Sequence, residues 1–245
     1  MSSGRPADYG RLAAIGPYFA LDTSPGGPPP GSRPLPELFG TGPDAPLAAR
    51  VRVVAQRLGT AEPRVAASIL HLGLAARFWS VGLGAAALLG VVPTLERAWV
   101  RVPEQGPIDL WAPPDAARVD AGPGAGSLAD RLHRAVLVGQ LAPLAAAVRA
   151  AAPLSARLLD GNAASALAGS LRVLEAHAPG PARELAAELL SRPPLAGTGT
   201  LRILPGGGAV FRRRSCCLYY RVGPDAGVCG DCCFTRPPTP VNRVG

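Results

Sequence analysis

The chain has 245 residues, room for one large domain or two modest ones. Hydrophobic residues make up 48% and mean hydropathy is +0.20, which excludes a mainly disordered chain. All 25 basic residues are arginine, against 17 acidic ones, and the net charge of +8 favours anionic partners. In a chain so rich in Ala, Gly and Pro, arginine content alone is weak evidence for nucleic-acid binding, and none is expected.

Residues 1–46 read as a Gly/Pro-rich segment and linker. The first residues lack the basic region and unbroken apolar run of a targeting signal. Residues 22–46 hold 13 Gly or Pro in 25 positions, the composition of loop or polyproline with no packed element. Loss of residues 1–40 is accordingly expected to leave the rest intact. Regular structure is expected from Leu47, where Leu47, Val51, Val54 and Leu58 share one helical face.

Thr60 reads as the cap of the next helix, with Glu62 and Pro63 in its first turn and an apolar stripe of Val65, Ile69, Leu72 and Ala76. From Phe78 the pattern is apolar on all sides, the mark of a central core helix, and Pro93 is expected to end it. The interrupted run 78–95 falls short of the roughly 20 apolar residues of a membrane span.

Residues 99–102 and 108–111 alternate across a turn containing Gly106 and read as a β-hairpin. Residues 113–126 read as a surface loop. Ser127 and Asp130 form a capping signal, continued at helical spacing by Leu128, Leu132 and Val136, with a kink or break at Pro143 and Pro153. Further helices are expected over about 155–177 and 181–191, with Asp160 or Asn162 capping a helix start. His71, His133 and His177 are scattered along helices and read as structural, as do Arg77 and Trp79. Residues 193–200 and 205–208 read as loop. The fold class is mainly α, a helical bundle with a small β-hairpin insert over 47–200. A short Cys-rich segment follows over 201–245.

All five cysteines, Cys216, Cys217, Cys229, Cys232 and Cys233, lie within 18 residues of one another. Thiols this dense in a reducing compartment point to a metal, not to disulfides. Successive side chains of a strand face opposite ways, so Cys216 and Cys217 can share one centre only at a turn, where a strand over 211–214 ends. Cys229 and Cys232 form a C-x2-C knuckle with Gly230 and Asp231 between them. Two cysteines from each half make a four-thiolate set, suited to tetrahedral zinc or to a [2Fe–2S] cluster; the unspaced pair leans away from zinc without excluding it. Arg212, Arg213 and Arg214 precede the pair. They read equally as solvated arginines or as charges that stabilise a reduced cluster and steer an acidic donor.

The segment RRRSCCLYYRVGPDAGVCGDCCF resembles the C-terminal cluster-binding segment of the ferric siderophore reductases of the FhuF type. Upstream, RVAASILHLGLAARFWSVGLGAAALLGVVPTL and LLDGNAASALAG resemble the helical domain that this family shares with the C-terminal parts of siderophore synthetases. The resemblance spans roughly residues 60–235. It implies a [2Fe–2S] cluster on Cys216, Cys217, Cys229 and Cys232. The chain departs from the family pattern in an inter-pair loop one residue longer than usual and in the additional Cys233, which could substitute for Cys232 but reads as a spare thiol. It further implies a cytoplasmic oxidoreductase that transfers one electron to a ferric siderophore and releases Fe(II). A ferredoxin or flavoprotein is implied as donor, since the sequence carries no flavin or nicotinamide motif. Peripheral contact with the inner membrane is compatible with the charge. The alternative is a non-catalytic siderophore-binding or adaptor protein with a structural four-cysteine zinc site.

Overall fold

The computed structural model describes residues 7–42, 45–115, 126–223 and 226–238. Helix α1 is the short turn Gly10–Ala13, and α2 spans Pro46–Leu58. Proline stands in the first turn of α2, where a missing N–H costs nothing, and Gly59 closes it at φ 62°. The 27-residue α3, Pro63–Leu89, is buried on nearly every face over its second half, as its all-round apolar pattern requires. It ends at Gly90 (φ 68°) and not at Pro93: a left-handed glycine releases the chain three residues before the proline is reached. Thr60 does not cap α3 either. Its Oγ1 accepts from the Glu62 amide at 3.2 Å, shaping the turn ahead of the helix.

Helix α4 (Leu128–Leu132), a π-helical stretch (His133–Leu141) and α5 (Ala142–Ala151) run on from one another, and the capping box at their start is complete. Ser127 accepts from the Asp130 amide at 3.1 Å while the Asp130 carboxylate accepts from the Ser127 amide at 2.7 Å. Of the loop expected over 113–126, residues 116–125 lie outside the described residues. Both α3 and the run 128–151 are long and apolar enough to cross a membrane by length and composition; two-thirds of the most apolar α3 window is buried within the protein.

Helices α6 (Ala156–Leu174) and α7 (Pro179–Leu190) complete the bundle, and α6 packs along α3 more extensively than any other pair of elements among the described residues. Ser155 caps α6, accepting from the Leu158 amide at 3.2 Å. Asp160 and Asn162, expected to cap a helix start, are instead inside α6. Strands β2 (Trp99–Arg101) and β3 (Asp109–Trp111) form the expected antiparallel hairpin.

Two features depart further from the expectation. The first is the N-terminal segment, which is packed and not a free linker. Strand β1 (Arg33–Pro34) adds to β2 as a third antiparallel strand and leads into a 3-10 turn, Leu35–Phe39. Tyr9, Leu12, Phe19, Leu21, Leu35 and Leu38 are buried in the common core. A Cβ on Gly84 of α3 would come within 2.9 Å of the Phe19 ring and 3.1 Å of Leu12, so that glycine makes room for the segment. The guanidinium of Arg77, buried in α3, clamps it further. It donates to the Ile108 carbonyl at 2.9 Å, to that of Tyr18 at 2.6 Å, and to that of Ala20. Isolated large side chains did this packing without any periodic pattern. The second feature is β4 (Gly199–Ile203), within and beyond the stretch read as loop, which pairs antiparallel with β5 (Ala209–Arg213) and steers the chain toward the cysteines.

Candidate metal centre

Strand β5 ends at Arg213, and the chain then turns sharply. Leu218 adopts φ 69° in the left-handed region that a leucine enters only when its surroundings dictate it. That turn lets Cys216 and Cys217, adjacent in sequence, serve one centre. The knuckle Cys229–Cys232 closes on itself through the Cys232 amide, which donates to the Cys229 carbonyl at 3.0 Å.

The thiols make a close pair and a close trio, and the trio includes Cys233. Cys217 and Cys229 Sγ are 3.4 Å apart, and the Sγ atoms of Cys216, Cys232 and Cys233 lie within 4.8 Å of one another. Cys217 and Cys232 are buried, whereas Cys216, Cys229 and Cys233 are partly exposed, so the group has a covered side and an open one. Hydrogen bonding among Cys216, Cys217 and Cys229 holds the Cys217 thiol below the usual range and pushes the other two up. Cys233 is raised chiefly by burial.

Backbone amides distinguish the cysteines. The Leu218 amide donates to Cys216 Sγ at 3.2 Å and the Phe234 amide to Cys232 Sγ at 3.4 Å.

Both halves of the set are anchored to the bundle. The Ser68 hydroxyl on α3 donates to the Cys217 carbonyl at 2.7 Å. Asn162 on α6 donates to the Ser68 carbonyl at 3.0 Å and to its hydroxyl at 3.1 Å, and accepts from Arg213 at 2.6 Å. Asp231, inside the knuckle and buried, accepts from the Ser165 hydroxyl at 2.5 Å and from Arg172 at 2.9 Å. The Arg213 amide donates to the Asp231 carbonyl at 2.9 Å and joins the two halves. A Cβ on Gly161 would come within 2.2 Å of Ser215 Oγ, so α6 approaches the turn as closely as a backbone can. Arg221 pairs with Glu62 ahead of α3 at 2.7 Å, fixing the far end of the turn.

Residues 213–234 match the family model of the FhuF 2Fe-2S C-terminal domain. The cysteine segment is therefore of the FhuF type, as its resemblance implied. The match covers that segment alone, and neither a curated protein nor a solved structure matches the chain. The donors fit a [2Fe–2S] cluster on two counts. They are thiols throughout, with amides aimed at sulfur. Beside them lies a buried guanidinium, Arg213, whose Nη1 has no partner among the described residues.

Of the three arginines before the FhuF-type pair, Arg213 alone is buried, while Arg212 and Arg214 are exposed. His71 is a buried core histidine, held neutral by burial and by the Arg213 charge, with its pKa pushed down to about 3. The residues that the sequence reading missed are the anchors Ser68, Asn162, Ser165 and Arg172. A signal for three of them exists. Asn162, Ser165 and Arg172, at spacings of three and seven, share one face of α6, a polar stripe facing something other than core.

Asp231→Ala should leave Ser165 unsatisfied and Arg172 without its carboxylate, at a cost of about 1–3 kcal/mol. Arg172 is 40% exposed, so water recovers part of the loss. The expected result is slower reconstitution and faster bleaching of the centre, with unchanged helical content by circular dichroism.

Proposed function

We propose that the protein is an iron–sulfur ferric siderophore reductase of the cytoplasm, and that Cys216, Cys217, Cys229 and Cys232 hold its [2Fe–2S] cluster. The observation that carries the reading is the gathering of thiols within a segment of FhuF type, with amides from two residues on donating to Cys216 and Cys232.

When bound, the cluster supplies single electrons. The protein residues hold it with one side toward solvent, beside the partly exposed Cys216, Cys229 and Cys233. Exposed Tyr219 and Phe234 flank that opening, with Arg212, Arg214 and Arg236 also exposed nearby in the chain. Such a rim attracts anionic ferric chelates and the acidic face of a ferredoxin or flavoprotein donor. Hydroxamate and catecholate oxygens bind Fe(III) far more tightly than Fe(II). One electron therefore loosens the complex, and no acid–base residue is needed.

Purified protein should be reddish-brown, with about two irons and two sulfides per chain. Mixed anaerobically after reduction with a ferric hydroxamate, it should release Fe(II) to a ferrous-specific chelator in step with reoxidation. Colourless protein holding one zinc would overturn the reading in favour of a structural site.

The amide that donates to Cys232 supports Cys232 as a ligand and Cys233 as the spare fifth thiol. Cys233→Ala should retain the oxidised absorption spectrum after anaerobic reconstitution, whereas Cys232→Ala should lose or distort it. The reverse result would exchange the two residues in the ligand set.

A further inference from the structure

We propose that Arg213 is the built-in counter-cation of the thiolate centre, the one arginine of its triplet whose charge both holds the cluster and eases its reduction. The inference rests on the [2Fe–2S] reading above.

Arg213 is only 2% exposed, although it sits in a run of three arginines whose other two members face solvent. Alternation along β5 explains the inward direction, since Phe211 and Arg213 share the covered face while Val210 and Arg212 share the open one. Burial of a guanidinium is expensive unless it is paired with an anion. Yet every recorded acceptor of the Arg213 side chain is neutral. Nε donates to the Ser215 carbonyl at 3.0 Å, and Nη2 to Asn162 Oδ1 at 2.6 Å and the Leu158 carbonyl at 3.4 Å. No carboxylate among the described residues pairs with it, and Nη1 is buried without any partner. Asp231, the nearest acidic residue in the knuckle, is already taken by Arg172 and Ser165.

Geometry sets Arg213 beside the thiol centre: its amide donates to the carbonyl of Asp231 inside the knuckle at 2.9 Å, and its Nε to the carbonyl of Ser215, the residue before Cys216. An all-cysteine [2Fe–2S] centre is anionic when oxidised and gains a further negative charge on reduction. A fixed cation buried beside it stabilises the more negative state more strongly than a solvated one, because the surroundings screen it less. Arg212 and Arg214, in water, lack that leverage. Asn162 orients the fork, and Ser68 extends the same chain of hydrogen bonds to the Cys217 carbonyl.

The test compares Arg213→Met, which keeps most of the volume without charge, with Arg213→Lys, which keeps charge without the fork. Full-length proteins are reconstituted anaerobically, iron and sulfide are counted, and the midpoint potential is read by electron paramagnetic resonance. The expected result is a Lys variant that holds the cluster near the wild-type potential. The Met variant should either hold it with reduction disfavoured at least tenfold, about 59 mV for one electron, or fail to hold it. The proposal is overturned if the Met variant keeps the cluster at the wild-type potential. It is equally overturned if the Lys variant is as impaired as the Met variant, since shape and not charge would then be at work. A wild-type protein with no reducible centre would instead sink the functional reading before any variant is compared.

Discussion

Removal of residues 1–40 should abolish the native fold, giving insoluble protein or a compact state without fixed packing. Six large side chains of this segment, Tyr9, Leu12, Phe19, Leu21, Leu35 and Leu38, are buried in the core. At about 1.5–3 kcal/mol for each, their loss is on the order of 10 kcal/mol, comparable with the whole stability of an ordinary domain. The damage extends beyond apolar area. Arg77 would keep its bond to the Ile108 carbonyl and lose those to Tyr18 and Ala20, leaving a poorly satisfied charge in α3. Strand β2 would lose β1 and expose an edge. Circular dichroism with analytical gel filtration checks the outcome. A soluble, cooperatively melting truncation would mean that the segment is dispensable packing.

Replacement of Cys229 by Ser should have the opposite profile, destroying the centre and sparing the fold. Ferric chelate reduction should fall by more than the roughly 100-fold that follows loss of an outer partner at a metal site. Absorbance from the cluster should disappear while helical content stays close to wild type. The core side chains of α3, α6 and α7 pack without any contribution from Cys229, which is only partly buried at the margin of the bundle. Global unfolding of this variant would show that the thiol centre organises the helices.

The contrast between these two outcomes marks how far the sequence could be read. Elements with a repeating apolar pattern, α2, α3, α6, α7 and the hairpin, were legible because periodicity of 3.6 or 2 reports burial on one face. The N-terminal segment has no such period. Its buried residues are single anchors set among glycines and prolines, and what they fill is decided by distant parts of the chain, such as the surface left open at Gly84. Asn162 carries the residue type of a cap and sits instead in mid-helix, because Ser155 had already started α6 and Ser68 and Arg213 supplied its partners.

At the centre, the convergence of cysteines was legible from spacing alone. The supports were not, since Ser68 and Cys217 lie 149 positions apart and Ser165 and Asp231 lie 66 apart. The same limit applies to the arginine triplet. Only strand register separates Arg213 from its neighbours, and the register depends on a strand, β4, whose Gly-rich surroundings read as loop.

The moorings of the thiols have a consequence for the protein once its cluster is lost. One half of the set is lashed to α3 through Ser68, the other to α6 through Asp231, and neither lashing uses a sulfur. A molecule stripped by oxygen or chelators should thus keep the imprint of what it lost. Repair then becomes a matter of delivering iron and sulfide to a standing mould, at a pace set by their supply and not by renewed folding of the chain.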